Sequence, residues 1–170
     1  MKKLVILGLA AVVGGNAFAG SWVEVGDAGE SLATANMTIG DVSDPSLTSI
    51  SGAMDTDADM YCIRIVDVAA FSASTVGGTT LDTQLFLFDS AGMGVTFNDD
   101  SVGLQSTITG AFVSGTGVYY IGVSRYDRDP NSAAGAIWLD TPFGVERAPD
   151  GPGAGGALDN WSGGPTTTGG

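Results

Sequence analysis

Asp82, Asn98, Asp99 and Asp100 bracket the stretch DTQLFLFDSAGMGVTFNDD, which places acidic residues at both ends of two short aromatic and aliphatic runs. Carboxylate and amide oxygens are hard ligands, and a set without imidazole or thiolate suits Ca²⁺ among extracellular ions. Asp89-Ser90-Ala91-Gly92 has Asp at its start and Gly at its end, the composition of a tight turn, so the two runs are expected to form a hairpin. With Phe88 opposite Met93, two-residue steps place Phe86 opposite Val95, Gln84 opposite Phe97 and Asp82 opposite Asp99. Like charges facing each other across a sheet are destabilising. Two carboxylates about 4–5 Å apart repel by roughly 1 kcal/mol in water and about 4 kcal/mol at an effective dielectric near 20. The arrangement calls for a cation, a shifted register or solvent. Asn98-Asp99-Asp100 also reads as an ordinary turn at a strand end.

A second acidic group lies in MDTDADMY, where Asp55, Asp57 and Asp59 occupy alternate positions. In extended chain such residues project to one side. The spacing departs from an EF-hand, because Met60 stands where its glycine belongs and Val66 where its bidentate glutamate belongs. Asp57 and Asp59 could instead share an ion with Glu24, Asp27 and Glu30 of WVEVGDAGE; the other reading is a solvated acidic loop.

Catalytic templates find little support. The chain has no histidine, which removes Ser-His-Asp and Cys-His constellations and His-ligated zinc. Asp82-Thr83-Gln84, Asp140-Thr141-Pro142 and Asp89-Ser90-Ala91 each lack the third residue of an aspartic-protease turn. A carboxylate pair could cleave glycosides, yet among 19 acidic residues any pair is weak evidence. Tyr126, Arg128 and Trp138 could line a saccharide or peptide site, since aromatic faces and planar donors suit such ligands. Core and charge-paired turn roles compete with that assignment.

Sheets must position these groups. Glycine is abundant (27 residues), and the apolar segments are short, β-branched or aromatic and separated by turn residues. Strands are predicted at 21–25, 47–51, 60–66, 70–75, 84–88, 94–97, 106–112, 117–124 and 136–139, spaced as in a sandwich or barrel. In the third, Tyr61, Ile63 and Ile65 alternate with Met60, Cys62, Arg64 and Val66, with one face expected in the core. The lone cysteine, Cys62, cannot form an internal disulfide and reads as a small buried apolar residue.

Residues 1–19 have the basic start, short apolar core and Ala17-Phe18-Ala19 end of a cleavable secretory leader. The apolar run is too short to span a bilayer, and no second run follows, so no transmembrane segment is expected in the mature chain. Both lysines lie in the leader, leaving four arginines against all 19 acidic residues. Nucleic acid and anionic lipid are poor partners for that surface; cations are good ones. Residues 20–147 are expected to form one β domain, and residues 148–170, rich in Gly, Pro and Thr, a rim loop and flexible tail.

The succession Trp22-x-Glu24-x-Gly26-Asp27-Ala28-Gly29, Asp57-x-Asp59-Met60-Tyr61, FSAST at 71–75, DTQLFLFD at 82–89, NDD at 98–100 and GVYYIGVS at 117–124 resembles bacterial secreted domains of the pre-peptidase C-terminal type. These are related in fold to the collagen-binding domains of clostridial collagenases. The resemblance spans roughly Ser21 to Leu139. It implies an all-β, jelly-roll-like antiparallel β-sandwich that is often calcium-binding and not itself catalytic, with ligands at Glu24, Asp27, Asp57 and Asp59. Such domains usually accompany a catalytic module, whereas here the domain occupies nearly the whole chain.

The resulting expectation is a secreted, non-catalytic, calcium-stabilised module, placed extracellularly, at the cell surface or in a periplasm, that binds polysaccharide or protein. A self-assembling surface or matrix protein without a metal requirement is the alternative, and a carboxylate-dependent glycoside hydrolase a weaker one.

Overall fold

The structure, a computed structural model, describes residues 2–7, 20–39 and 46–163. It is all-β, with four sheets, one short 3-10 turn and no α-helix among the described residues. No described helix is therefore long and apolar enough to cross a membrane.

The strands are β1 (Lys2–Leu7), β2 (Gly20–Val23), β3 (Asn36–Met37), β4 (Leu47–Met54), β5 (Asp59–Ile65), β6 (Ser72–Ser74), β7 (Thr83–Asp89), β8 (Gly94–Asn98), β9 (Thr107–Thr109), β10 (Gly117–Arg125), β11 (Arg128–Ser132), β12 (Gly135–Ala136) and β13 (Asn160–Gly163). The central sheet runs β3-β5-β10-β7-β8 and is antiparallel except where β3 joins β5 in parallel. Beside it stand β1-β4-β2, β12-β11-β13 and the pair β6-β9.

Alternation along the central strands explains the layering. Tyr61, Ile63, Ile65, Leu85, Leu87, Ile121 and Val123 project to one face and bury against Ile50 and Met54 of β4, Ala73 of β6 and Ile108 of β9. Met60, Phe86, Phe88 and Phe97 project to the other face and meet Ile137, Trp138, Leu158 and Trp161. The expectation of one core face on β5 is thus corrected. Both faces of the sheet are covered, and such strands read as near-continuous apolar runs. Cys62 is buried with a free thiol.

Three departures concern the elements near the acids. The hairpin register is shifted: Phe86 pairs with Phe97 and Phe88 with Gly94, not with Val95 and Met93. Asp89 accounts for this, because its backbone N–H donates to Met93 O at 2.9 Å while its Oδ1 accepts from the Ala91 and Met93 N–H groups. That pairs Asp89 with Met93 and shifts the register by one residue, and a bulge on the β7–β8 ladder between Leu87 and Phe88 adds a second, so that Phe86 faces Phe97. The strand expected at 106–112 ends at Thr109, whose hydroxyl caps a 3-10 turn. The strand expected at 136–139 stops at Ala136, and Ile137 and Trp138 enter the second core.

The segment after Ala148, expected as loop and tail, contributes β13. Arg128, Asp129, Pro130 and Asn131 pair with Gly163, Ser162, Trp161 and Asn160. Trp161 accounts for the pairing, as its ring meets Phe86 edge-on at 5.4 Å. Residues 164–170 lie outside the described residues, as do 8–19 of the expected leader; the remainder of the leader includes β1, antiparallel on β4.

Candidate metal centre

Three groups of carboxylates converge, each with ligand-capable oxygens within 4.8 Å of one another: Glu24, Asp27 and Asp59; Asp82, Asp99 and Asp100; and Asp127, Asp129 and Asp140.

The first group is built by the loop from β2 to β3 and the start of β5. Glu24 is the fixed point: Oε1 accepts from the Ala28 N–H and the Tyr61 hydroxyl, both at 3.2 Å, and Oε2 from the Ala53 N–H at 2.8 Å. Gly52 leaves the room for it, since a Cβ there would stand 2.3 Å from Glu24 Oε2. Gly29, at φ 57°, turns the loop back so that its carbonyl accepts from the Met60 N–H. Asp59 is 1% exposed, and its Oδ2 has no hydrogen-bond partner. Burial, then the charges of Glu24, Asp57, Asp27 and Asp55, raise its pKa to about 8. The Tyr61 hydroxyl is likewise pushed up by burial and by Asp59 and Glu24.

Asp82 precedes β7 and Asp99 and Asp100 follow β8, so the second group forms where the two strands of the hairpin open. Asp99 is 1% exposed, and its Oδ1 lacks a partner, as does Asp100 Oδ1. Burial and the charges of Asp100, Asp82, Asp129 and Asp140 raise the Asp99 pKa to about 8. Burial also raises those of Asp82 and Asp100, with Arg125 opposing the shift at Asp82. The neighbouring Ser106 hydroxyl lies against the Asp99 and Thr83 carbonyls.

Buried polar groups in folded proteins nearly always have partners. An orphaned carboxylate oxygen within a triad of acids is costly when ionised and unpaired, and a hard cation would satisfy both conditions. The residues fit such an ion: every side chain offered is an oxygen donor.

Of the residues singled out in the sequence, Glu24, Asp27 and Asp59 come together, as do Asp82, Asp99 and Asp100. Asp57 is not in the first triad and reaches it through its charge on Asp59. The Asn98 side-chain oxygen accepts from the Thr107 N–H at 2.8 Å, and its amide donates toward Phe143 O at 3.5 Å. Trp138 is 4% exposed within the Phe86, Phe88 and Phe97 cluster and offers no surface to a ligand. Arg128 is bound to Glu30, and Tyr126 stands edge-on to Phe143.

Sequence reasoning missed the third triad. Asp127 and Asp129 read as partners of Arg125 and Arg128, and Asp140 lies on a distant loop. Gln84 is the organiser: wholly buried on β7, it donates to Asp129 Oδ1 at 3.0 Å and accepts from the Arg128 N–H and the Ser124 hydroxyl, both at 3.2 Å. Arg147 holds the other side, donating to the Leu139 and Pro142 carbonyls that flank Asp140 while its guanidinium lies 4.9 Å from the centre of the Phe97 ring. A buried glutamine two residues after Asp82 was the available signal. Comparisons with protein-family models, curated proteins and solved structures find no match for this chain.

Proposed function

We propose that this chain is an exported, non-catalytic β-sandwich module, stabilised by Ca²⁺, that serves extracellular or cell-surface attachment to polysaccharide or protein. One observation carries the metal assignment: Asp59 and Asp99, each almost wholly buried inside an acidic triad, keep a carboxylate oxygen without a partner. Calcium would offset the repulsion within each triad and tie the β2–β3 loop to β5 and the hairpin mouth to its neighbouring loops. The convergence of Glu24, Asp27 and Asp59 also supports kinship with the pre-peptidase C-terminal type of domain. Export rests on the leader-like residues 1–19.

The test is thermal unfolding of the chain from Gly20 onward in excess chelator, in millimolar Ca²⁺ and in millimolar Mg²⁺. A calcium-specific rise in melting temperature, reduced in Asp59→Asn and in Asp99→Asn, is expected. Equal melting in chelator and calcium would overturn the reading.

A self-assembling structural protein is the second reading, and β4 favours it. One edge of β4 is covered by β2 and the other by β1, which lies inside the expected leader. Cleavage would leave that edge unpaired, and an unpaired edge is a template for another chain. Calcium-independent, concentration-dependent sedimentation of the processed chain would favour this alternative.

A further inference from the structure

We infer that, once residues 1–19 are removed, the freed edge of β4 joins the β4 edge of a second copy in antiparallel register and closes a two-fold dimer. The inference rests on the second reading above and deepens it, by naming the partner and limiting the assembly to two chains.

Only β1 covers that edge. The Glu24 N–H donates to Ser51 O at 2.8 Å and the Ala53 N–H to Glu24 Oε2 at 2.8 Å, so Ser51 and Ala53 turn their backbone groups toward β2. Alternate residues of a strand face opposite edges, which leaves the backbone groups of Thr48, Ile50 and Gly52 to β1. That strand takes them antiparallel over six pairs, from Lys2 with Met54 to Leu7 with Ser49. The pairing shows the direction and length of strand that the edge accepts. The other edge strands are either no longer than four residues, as in β2, β3, β6, β9, β12 and β13, or bridged, as β8 is at Phe97 by Arg147.

The chemistry of β4 selects a second copy. Leu47–Met54 reads LTSISGAM, without the charge or proline that usually protects an open edge. Asp44 and Asp55 bound the uncharged stretch, and beyond the leader 19 acidic residues stand against four arginines, so two copies repel over most of their surface. Ile50 and Met54 are buried in the core, while Ser49 and Ser51 stand on the opposite face, where Ser49 donates to the Ser21 hydroxyl at 3.0 Å. The edge therefore offers main-chain donors and acceptors with small hydroxyls, and no charged group by which to select a different protein. Turned about a two-fold axis it is complementary to itself, and an isologous contact closes at two chains.

Sedimentation velocity over a concentration series, in chelator and in calcium, compares the chain from Gly20 onward with the full chain. The processed chain is expected to dimerise in both media and the full chain to remain a monomer. The double variants Ser49→Lys/Ser51→Lys and Ser49→Glu/Ser51→Glu set like charges across the contact, and each alone is expected to dimerise about tenfold more weakly. Mixed in equal amounts, the two are expected to form a heterodimer, which also shows that both fold. A processed chain that stays monomeric throughout would overturn this inference and the self-assembly reading together. Open-ended polymers, a dimer unchanged in both double variants or equally present in the full chain, or variants that fail to pair when mixed would overturn the β4 contact and leave self-assembly standing.

Discussion

Glu30 and Arg128, 98 residues apart in the chain, are joined by an ion pair in which Arg128 Nε donates to Glu30 Oε1 at 2.8 Å. The same oxygen accepts from the Ala58 N–H at 3.0 Å, next to Asp59, and the Glu30 carbonyl accepts from Trp161 Nε1 at 2.7 Å. Arg128 itself lies between Asp127 and Asp129. One partly buried pair therefore ties the loop of the first triad to the turn of the third and to the last described strand.

Arg128→Ala leaves the Glu30 carboxylate facing only the Ala58 N–H and removes the guanidinium bond to the Gly163 carbonyl of β13. The pair is partly exposed, so the loss lies between the values for surface and buried ion pairs, about 1–2 kcal/mol. Urea unfolding in calcium measures it. Calcium affinity of the first triad is expected to fall with it, because Ala58 positions Asp59.

Gly52→Ala tests the first triad without touching a carboxylate. A Cβ would meet Glu24 Oε2 at 2.3 Å and force Glu24 away from the Ala53 N–H. Calcium titration should show weakened binding at one site and unchanged binding at Asp82, Asp99 and Asp100.

The metal-free protein should lose stability as pH rises from about 4 to about 8. Burial and neighbouring carboxylates raise the native pKa values of Asp59 and Asp99 to about 8, far above the ordinary range of an aspartate, so across that window the folded chain holds protons that the unfolded chain has released. Stability then falls with pH, by at most about 1.4 kcal/mol per pH unit for each retained proton, and levels off above pH 8. Saturating calcium, which binds the ionised carboxylates, should flatten the profile and release protons near neutral pH. Melting curves between pH 5 and pH 8, with chelator and with calcium, check the sign; calorimetry in buffers of different ionisation enthalpy counts the protons.

Trp161→Ala should destabilise the fold although the residue sits in a stretch of tail-like composition. Its ring packs on Phe86 and Phe88 and over Gly122, where an added Cβ would already stand 3.1 Å from the indole. Because the ring is half-buried, the loss should fall somewhat below the 3–5 kcal/mol of a fully buried tryptophan, at about 2–3 kcal/mol. Denaturant titration followed by circular dichroism measures it.

Much of this was legible in the residues. Apolar runs and turn chemistry placed β5, β7, β8 and β10 within a residue or two, because those strands carry consecutive large apolar side chains bounded by turn residues. Absent histidine and paired acids pointed to a hard cation. Asn36–Met37 and Arg128–Ser132 escaped notice because their pairing depends on partners elsewhere in the chain, Tyr61 and Cys62 for the first and Trp161 for the second.

Sequence alone determined the all-β character and the acidic, oxygen-only ligand chemistry, since both follow from local composition and from side-chain types that no fold can change. Tertiary structure decided which acids meet. Asp82 and Asp99 converge although the expected register fails, and Asp140 joins Asp127 and Asp129 only because Gln84 and Arg147, both buried by long-range packing, fix two loops against the same hairpin. Propensity acts over a few residues, whereas burial of a carboxylate beside another is set by the packing of the whole chain.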